Sequence, residues 1–116
     1  MRKIFVALAV LLFTVSSCKT VYSTTGIEAK KSFVLGDNEH EQFEATVKNI
    51  SNNEVKLSQM PNNGVKKFIQ ILEPGKSVSV TIEKNTALYI DNKSDNKVTV
   101  ELNLKSGPHL SMGYKD

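Results

Sequence analysis

Apolar and polar positions alternate along most of this chain. Phe43, Ala45 and Val47 alternate with Glu44, Thr46 and Lys48, and Val55 and Leu57 with Glu54, Lys56 and Ser58. Val78, Val80 and Ile82 form another apolar face against Ser77, Ser79, Thr81 and Glu83. The longest such face is Val98, Val100, Leu102 and Leu104. A period of two is that of a half-buried strand. Residues 32–35 and 86–90 read as further short strands, and Leu110, Met112 and Tyr114 as a closing one. Residues 65–72 carry Phe68, Ile69, Ile71 and Leu72, apolar on both faces near their end, which predicts a central strand.

Turn chemistry separates these runs. Gly36-Asp37-Asn38, residues 49–53, Pro61-Asn62-Asn63-Gly64, Glu73-Pro74-Gly75-Lys76, Lys84-Asn85, residues 91–96 and Ser106-Gly107-Pro108 all favour reversal. Gly accepts positive φ, Pro presets φ, and short Asn side chains tolerate left-handed backbone. No segment beyond the N-terminal leader keeps helical periodicity over three turns. About seven to nine short strands at roughly ten-residue spacing predict an all-β antiparallel β-sandwich. An immunoglobulin-like or transthyretin-like Greek key is the first expectation, and a small jelly roll or barrel the second.

The first eighteen residues differ. Met1-Arg2-Lys3 precedes an apolar run over residues 4–13, then Thr14-Val15-Ser16-Ser17-Cys18. A cationic start, an apolar middle and small residues before a cut are the anatomy of a secretory signal. The run is shorter than the about 20 residues that span a bilayer. Val15-Ser16-Ser17-Cys18 resembles the lipobox of bacterial lipoproteins. The resemblance implies cleavage between Ser17 and Cys18, with a diacylglycerol on the Cys18 thiol. It also implies that the mature protein starts at Cys18, tied to a membrane by its acyl chains. One chain anchors marginally and two or more anchor firmly. The second mature residue is Lys19, not the Asp associated with inner-membrane retention. The first acidic residue is Glu28, so the acidic stretch associated with surface export is missing. By analogy with that family, the expected location is the outer membrane, facing the periplasm. The expected domains are a signal peptide over 1–17, a lipid-anchored tether over 18–31 with a first strand at 21–24, and a β-sandwich over 32–116.

Composition narrows the function further. The formal charge is +3, but Arg2 and Lys3 leave with the leader, and Arg2 is the sole arginine. A mature domain without Arg lacks the bidentate fork that reads phosphates and guanines. Its lysines are interspersed with acids, so nucleic acid is not an expected partner. With one cysteine, no disulfide staples the fold.

Candidate chemistry is sparse. His40 and His109 lie in different turns, and Glu39-His40-Glu41 reads as a solvated loop, not a metal site. Residues 91–96 resemble a calcium loop only superficially, because Lys93 stands where an oxygen ligand is required. Ser94-Asp95-Asn96-Lys97 fits two short motifs of penicillin-recognising enzymes, but both fall in one turn on the wrong scaffold. Asn49-Ile50-Ser51 and Asn92-Lys93-Ser94 match the N-glycosylation acceptor pattern. Tyr22, Tyr89 and Tyr114 are expected in the core rather than on a binding platform.

No catalytic residues, cofactor or metal are expected. The sequence predicts a non-catalytic, lipid-anchored envelope protein that presents loops or a sheet edge to an envelope protein partner. Two alternatives stand beside it. One is a periplasmic ligand-binding lipoprotein. The other is an inhibitor of an envelope hydrolase, using residues 37–41 or 61–64 as the inhibitory loop.

Overall fold

The computed structural model describes residues 20–105 and 110–115. Nine strands account for most of them: β1 (Thr20–Ile27), β2 (Ser32–Leu35), β3 (Phe43–Asn49), β4 (Val55–Pro61), β5 (Lys67–Leu72), β6 (Ser77–Ile82), β7 (Thr86–Asp91), β8 (Val98–Lys105) and β9 (Met112–Lys115). No helix occurs among the described residues. Cys18, Ser17 and His109 lie outside them.

The strands form two antiparallel sheets, β1-β8-β3-β6 and β5-β4-β7-β2-β9. The protein is therefore the antiparallel sandwich that the alternation predicts. Its path corrects the first expectation, an immunoglobulin-like or transthyretin-like Greek key, in favour of the jelly roll. β4 pairs with β5, β3 with β6, β2 with β7 and β1 with β8. This is one long hairpin with its tip between β4 and β5, folded so that successive pairs fall in opposite sheets. β9 is added at the free edge of β2. Alternation tells which face of a strand is buried. It does not tell which strand lies alongside, and here most pairings are distant in sequence.

The apolar faces of the two sheets meet in the interior. Ile27, Phe43, Val47, Leu57, Leu88 and Val100 are fully buried members of one continuous core.

Three further expectations change. The segment expected as a tether is β1, paired along its whole length with β8 from Thr20 opposite Lys105 to Ile27 opposite Val98. The described sandwich thus includes Thr20–Ile27, ahead of residue 32. Ser23 and Thr25 hide the period by standing where aliphatic residues would, and their hydroxyls bond each other at 3.0 Å. β5, expected to be central, is an edge strand with Phe68 58% exposed. A register shift in its ladder with β4, between Leu57 and Ser58, turns Ile69 onto the core and leaves Phe68 outside. β7 is the strand buried at every position.

The chain also repeats itself. Ile27-Glu28-x-x-Lys31-Ser32 recurs as Leu72-Glu73-x-x-Lys76-Ser77, and Asn49-x-Ser51-x-Asn53-x-Val55 as Asn92-x-Ser94-x-Asn96-x-Val98. In both copies of the first motif the turn is closed by Lys N–H donating to Glu C=O at 3.1 Å, Lys31 to Glu28 and Lys76 to Glu73. Backbone φ is positive at the matching positions, 64° at Lys30 and 78° at Gly75. The two halves of the jelly roll, β1–β4 and β5–β8, are thus built on one local plan.

Candidate functional site

Three surface arrangements hold the polar side chains that could act. The first is the end of the sandwich where β3 crosses to β4 and β7 crosses to β8. Each crossing turns on a buried asparagine. Asn92 Nδ2 donates to the carbonyls of Ile27 (3.0 Å), Glu28 (3.1 Å) and Asn96 (2.7 Å). Its Oδ1 accepts from the backbone N–H and the hydroxyl of Ser94. Asn49 is bonded the same way, to Asn53 and Leu72 with Ser51 in return. Both glycosylation-pattern asparagines are therefore interior corner posts whose amides are fully engaged in the fold. The calcium-like loop over residues 91–96 and the Ser94–Lys97 motif are this same turn.

The second arrangement lies on the outer face of the five-stranded sheet. Asp91, buried, accepts from the Ser32 hydroxyl and receives Lys66 Nζ at 3.1 Å. Lys66 also sits over the Tyr89 ring, 4.5 Å from its centroid. Lys115 lies over the same ring at 5.9 Å and pairs with Asp37 at 3.1 Å. The hydrogen bond that Lys115 donates to Asp37, aided by the Tyr89 phenol, raises the Lys115 pKa above the usual lysine range. Val34, Ala87 and Met60 pack beside Tyr89. The Asp91, Lys66 and Lys115 side chains are thus satisfied within the molecule.

The third lies on the outer face of the four-stranded sheet. Two register rows cross it: Tyr22, Asn103, Thr46 and Ser79, then Thr24, Glu101, Lys48 and Ser77. Alternation makes this face, since residues i and i+2 on each strand point the same way. All of the row residues except Ser79 line a depression of about 330 Å³. Thr46 and Ser79 hydroxyls bond at 2.7 Å, while Asn103 Oδ1 is buried without a partner. Tyr22, at the rim, is 76% exposed.

His40 does not form a metal site with Glu39 and Glu41. Its Nδ1 lies 2.6 Å from the Glu41 carbonyl oxygen and its Nε2 2.9 Å from that of Thr86, and its ring packs edge-on against Phe43. Among the described residues, no three His, Cys, Asp or Glu side chains are grouped to hold a metal. Of the tyrosines expected in the core, only Tyr89 is buried, and it lies on an outer sheet face; Tyr22 and Tyr114 are exposed. The sequence signal for Tyr22 was its place among Ser and Thr rather than in an aliphatic run.

No protein-family model matches the sequence, and no curated protein matches it. Solved structures do. An uncharacterised conserved protein with a double-stranded β-helix domain from Klebsiella pneumoniae superposes with a TM-score of 0.54 at 11% identity, over 81% of this chain and 74% of that one. Vicilin from Capsicum annuum gives 0.57 at 14% identity, over 81% of this chain and 24% of that one. A sugar phosphate isomerase of the cupin superfamily from Silicibacter pomeroyi gives 0.52 at 14%, over 84% and 57%. This chain spans about a quarter of the vicilin and little over half of the isomerase. The likeness shows a shared fold, the cupin-like double-stranded β-helix, whose members here include an enzyme and a protein of no named activity.

Proposed function

We propose that the protein is a non-catalytic, lipid-anchored component of a bacterial envelope, a jelly-roll binding module held to the membrane through Cys18. The observation that carries this reading is how closely the lipobox adjoins the fold. Only Lys19 separates Cys18 from β1, which starts at Thr20. Two residues reach at most about 7 Å, so acyl chains on Cys18 bring the β1 end of the sandwich down to the bilayer. The crossings at Asn49 and Asn92 then lie at the far end, toward the partner. The continuous apolar core and the internally bonded polar groups favour binding over catalysis, even though an isomerase shares the fold.

The test is the intact mass of the protein extracted from host membranes. A mass starting at Cys18 and increased by a diacylglyceryl group supports the reading, as does retention of the Cys18→Ala variant as uncleaved precursor. A bare thiol on a protein that still carries residues 1–17 overturns it.

A further inference from the structure

We infer that the outer face of the four-stranded sheet is a binding groove for a neutral carbohydrate chain. The inference deepens the binding-module reading and rests on that part of it, not on the lipid.

Charge selects the ligand class. Among the described residues, the charged side chains lining the depression are Lys48 and Glu101, which stand opposite each other in the β3–β8 register. Their fields cancel over the groove, so it has no net attraction for a phosphate, an acidic glycan or a charged peptide. The remaining lining is rich in uncharged hydrogen-bonding groups, namely Thr24, Thr46, Ser77 and Asn103. Hydroxyls both donate and accept, which suits a ligand whose own periphery is hydroxyl.

Two further features point to such a ligand. Asn103 Oδ1 is removed from water and has no protein partner. Asn103 lines the groove, and a turn of its side chain toward the opening would offer this acceptor to a sugar hydroxyl or acetamido N–H. Tyr22 presents its ring at the rim, 76% exposed, on the strand edge beside Asn103. An aromatic face at that place stacks on the C–H face of a pyranose while the hydroxyl edge of the sugar turns to the threonines. The groups project from four paired strands, so little ordering is needed on binding. On the opposite sheet the polar side chains Lys66, Asp91 and Lys115 are charged and engage one another or Tyr89.

The test is a titration of the full chain, ¹⁵N-labelled, in a zwitterionic detergent, since sugar-headed detergents would compete. The probes are β-1,4-linked N-acetylglucosamine tetramer, cellotetraose, maltotetraose and, as the anionic arm, hyaluronan tetrasaccharide. The expected result is saturable shifts of the Thr46 and Asn103 amide signals with at least one neutral probe. Tyr22→Ala and, independently, Asn103→Ala should weaken that binding by about tenfold or more, and Lys66→Ala on the opposite sheet should not. The neutral arm that binds distinguishes an amino-sugar polymer from a glucan. The inference is overturned if no neutral probe saturates, if the hyaluronan probe binds more tightly than all three, or if both groove variants bind like the parent. None of these outcomes alters the mass at Cys18, so the two readings fail separately.

Discussion

Asn49 and Asn92 are the same residue in structural terms. Asn49 ends β3 and Asn92 directly follows β7, and at each the chain crosses to the other sheet. Each donates Nδ2 to the carbonyl four residues on, and each also reaches the last carbonyl of a strand in the opposite half, Leu72 for Asn49 and Ile27 for Asn92. Their backbone N–H groups donate to matching lysine carbonyls, Lys76 at 2.9 Å and Lys31 at 3.0 Å. Each asparagine thereby ties one half of the jelly roll to the other. Replacing Asn92 by Ala strands three carbonyls and should cost about 3 kcal/mol; Asn49→Ala, with two, should cost about 2 kcal/mol. Ser94→Ala should cost less than either. Urea denaturation measures all three, and a loss below about 0.5 kcal/mol for Asn92→Ala would remove the corner-post role.

The matching turns before β2 and β6 make a second comparison. Gly75 has φ of 78°, and a Cβ built there would meet nothing within 4 Å. Gly75→Ala therefore tests backbone conformation without a clash and should destabilise by about 1 kcal/mol. At the equivalent site Lys30 already bears the left-handed conformation. It recovers part of that strain through Nζ, which donates to the Lys93 carbonyl at 2.7 Å and pairs with Asp95 at 3.3 Å. Both contacts are exposed and weak. Lys30→Gly should shift the urea midpoint upward, opposite in sign to Gly75→Ala. The same sign from both variants would contradict the equivalence of the turns.

These comparisons show where sequence patterning reaches. The face Val98, Val100, Leu102 and Leu104 was legible because four aliphatic side chains repeat without interruption, and all four are buried. β1 was only partly legible, because its inward Thr25 is polar yet 6% exposed. β5 misled because Phe68, Ile69, Ile71 and Leu72 suggest burial on both faces, and only the register shift reveals which side chains face outward. The turns at 49–53 and 91–96 were legible as turns, but the burial of Asn49 and Asn92 depends on carbonyls far along the chain. The groove was hidden for the same reason. Tyr22, Asn103, Thr46 and Ser79 form a row only after β1, β8, β3 and β6 are set side by side.

Lys115 provides a pH test at the added strand. Its pKa is raised in the folded protein, chiefly by its hydrogen bond to Asp37 and then by the Tyr89 phenol. A lysine whose folded pKa lies above its unfolded value adds stability that is fully present below the unfolded pKa and fades as pH rises through the folded one. The contribution should therefore hold at neutral pH and be lost only in strongly alkaline solution. The Lys115 side chain is about half exposed, so the effect should be local to β9. NMR titration of the Lys115 ε-methylene should give a midpoint above those of solvent-exposed lysines. Asp37→Asn should lower that midpoint, and an unchanged midpoint would mean that the ion pair does not form in solution.

Two serines on the five-stranded sheet should respond oppositely to the same substitution. Ser32 donates its hydroxyl to Asp91, a carboxylate whose side chain is only 2% exposed. Ser32→Ala leaves that charge with Lys66 alone and should destabilise by about 2 kcal/mol. Ser58 is fully buried opposite Tyr89, and its Oγ has no partner. A hydroxyl buried without a hydrogen bond opposes folding, so Ser58→Ala should be neutral or stabilise by about 1 kcal/mol. The volume removed is one oxygen atom, too little to open a costly cavity. Parallel urea denaturation of the two variants decides the matter. Equal losses at both positions would show that the Ser58 hydroxyl is hydrogen-bonded in solution, by an ordered water beneath Tyr89.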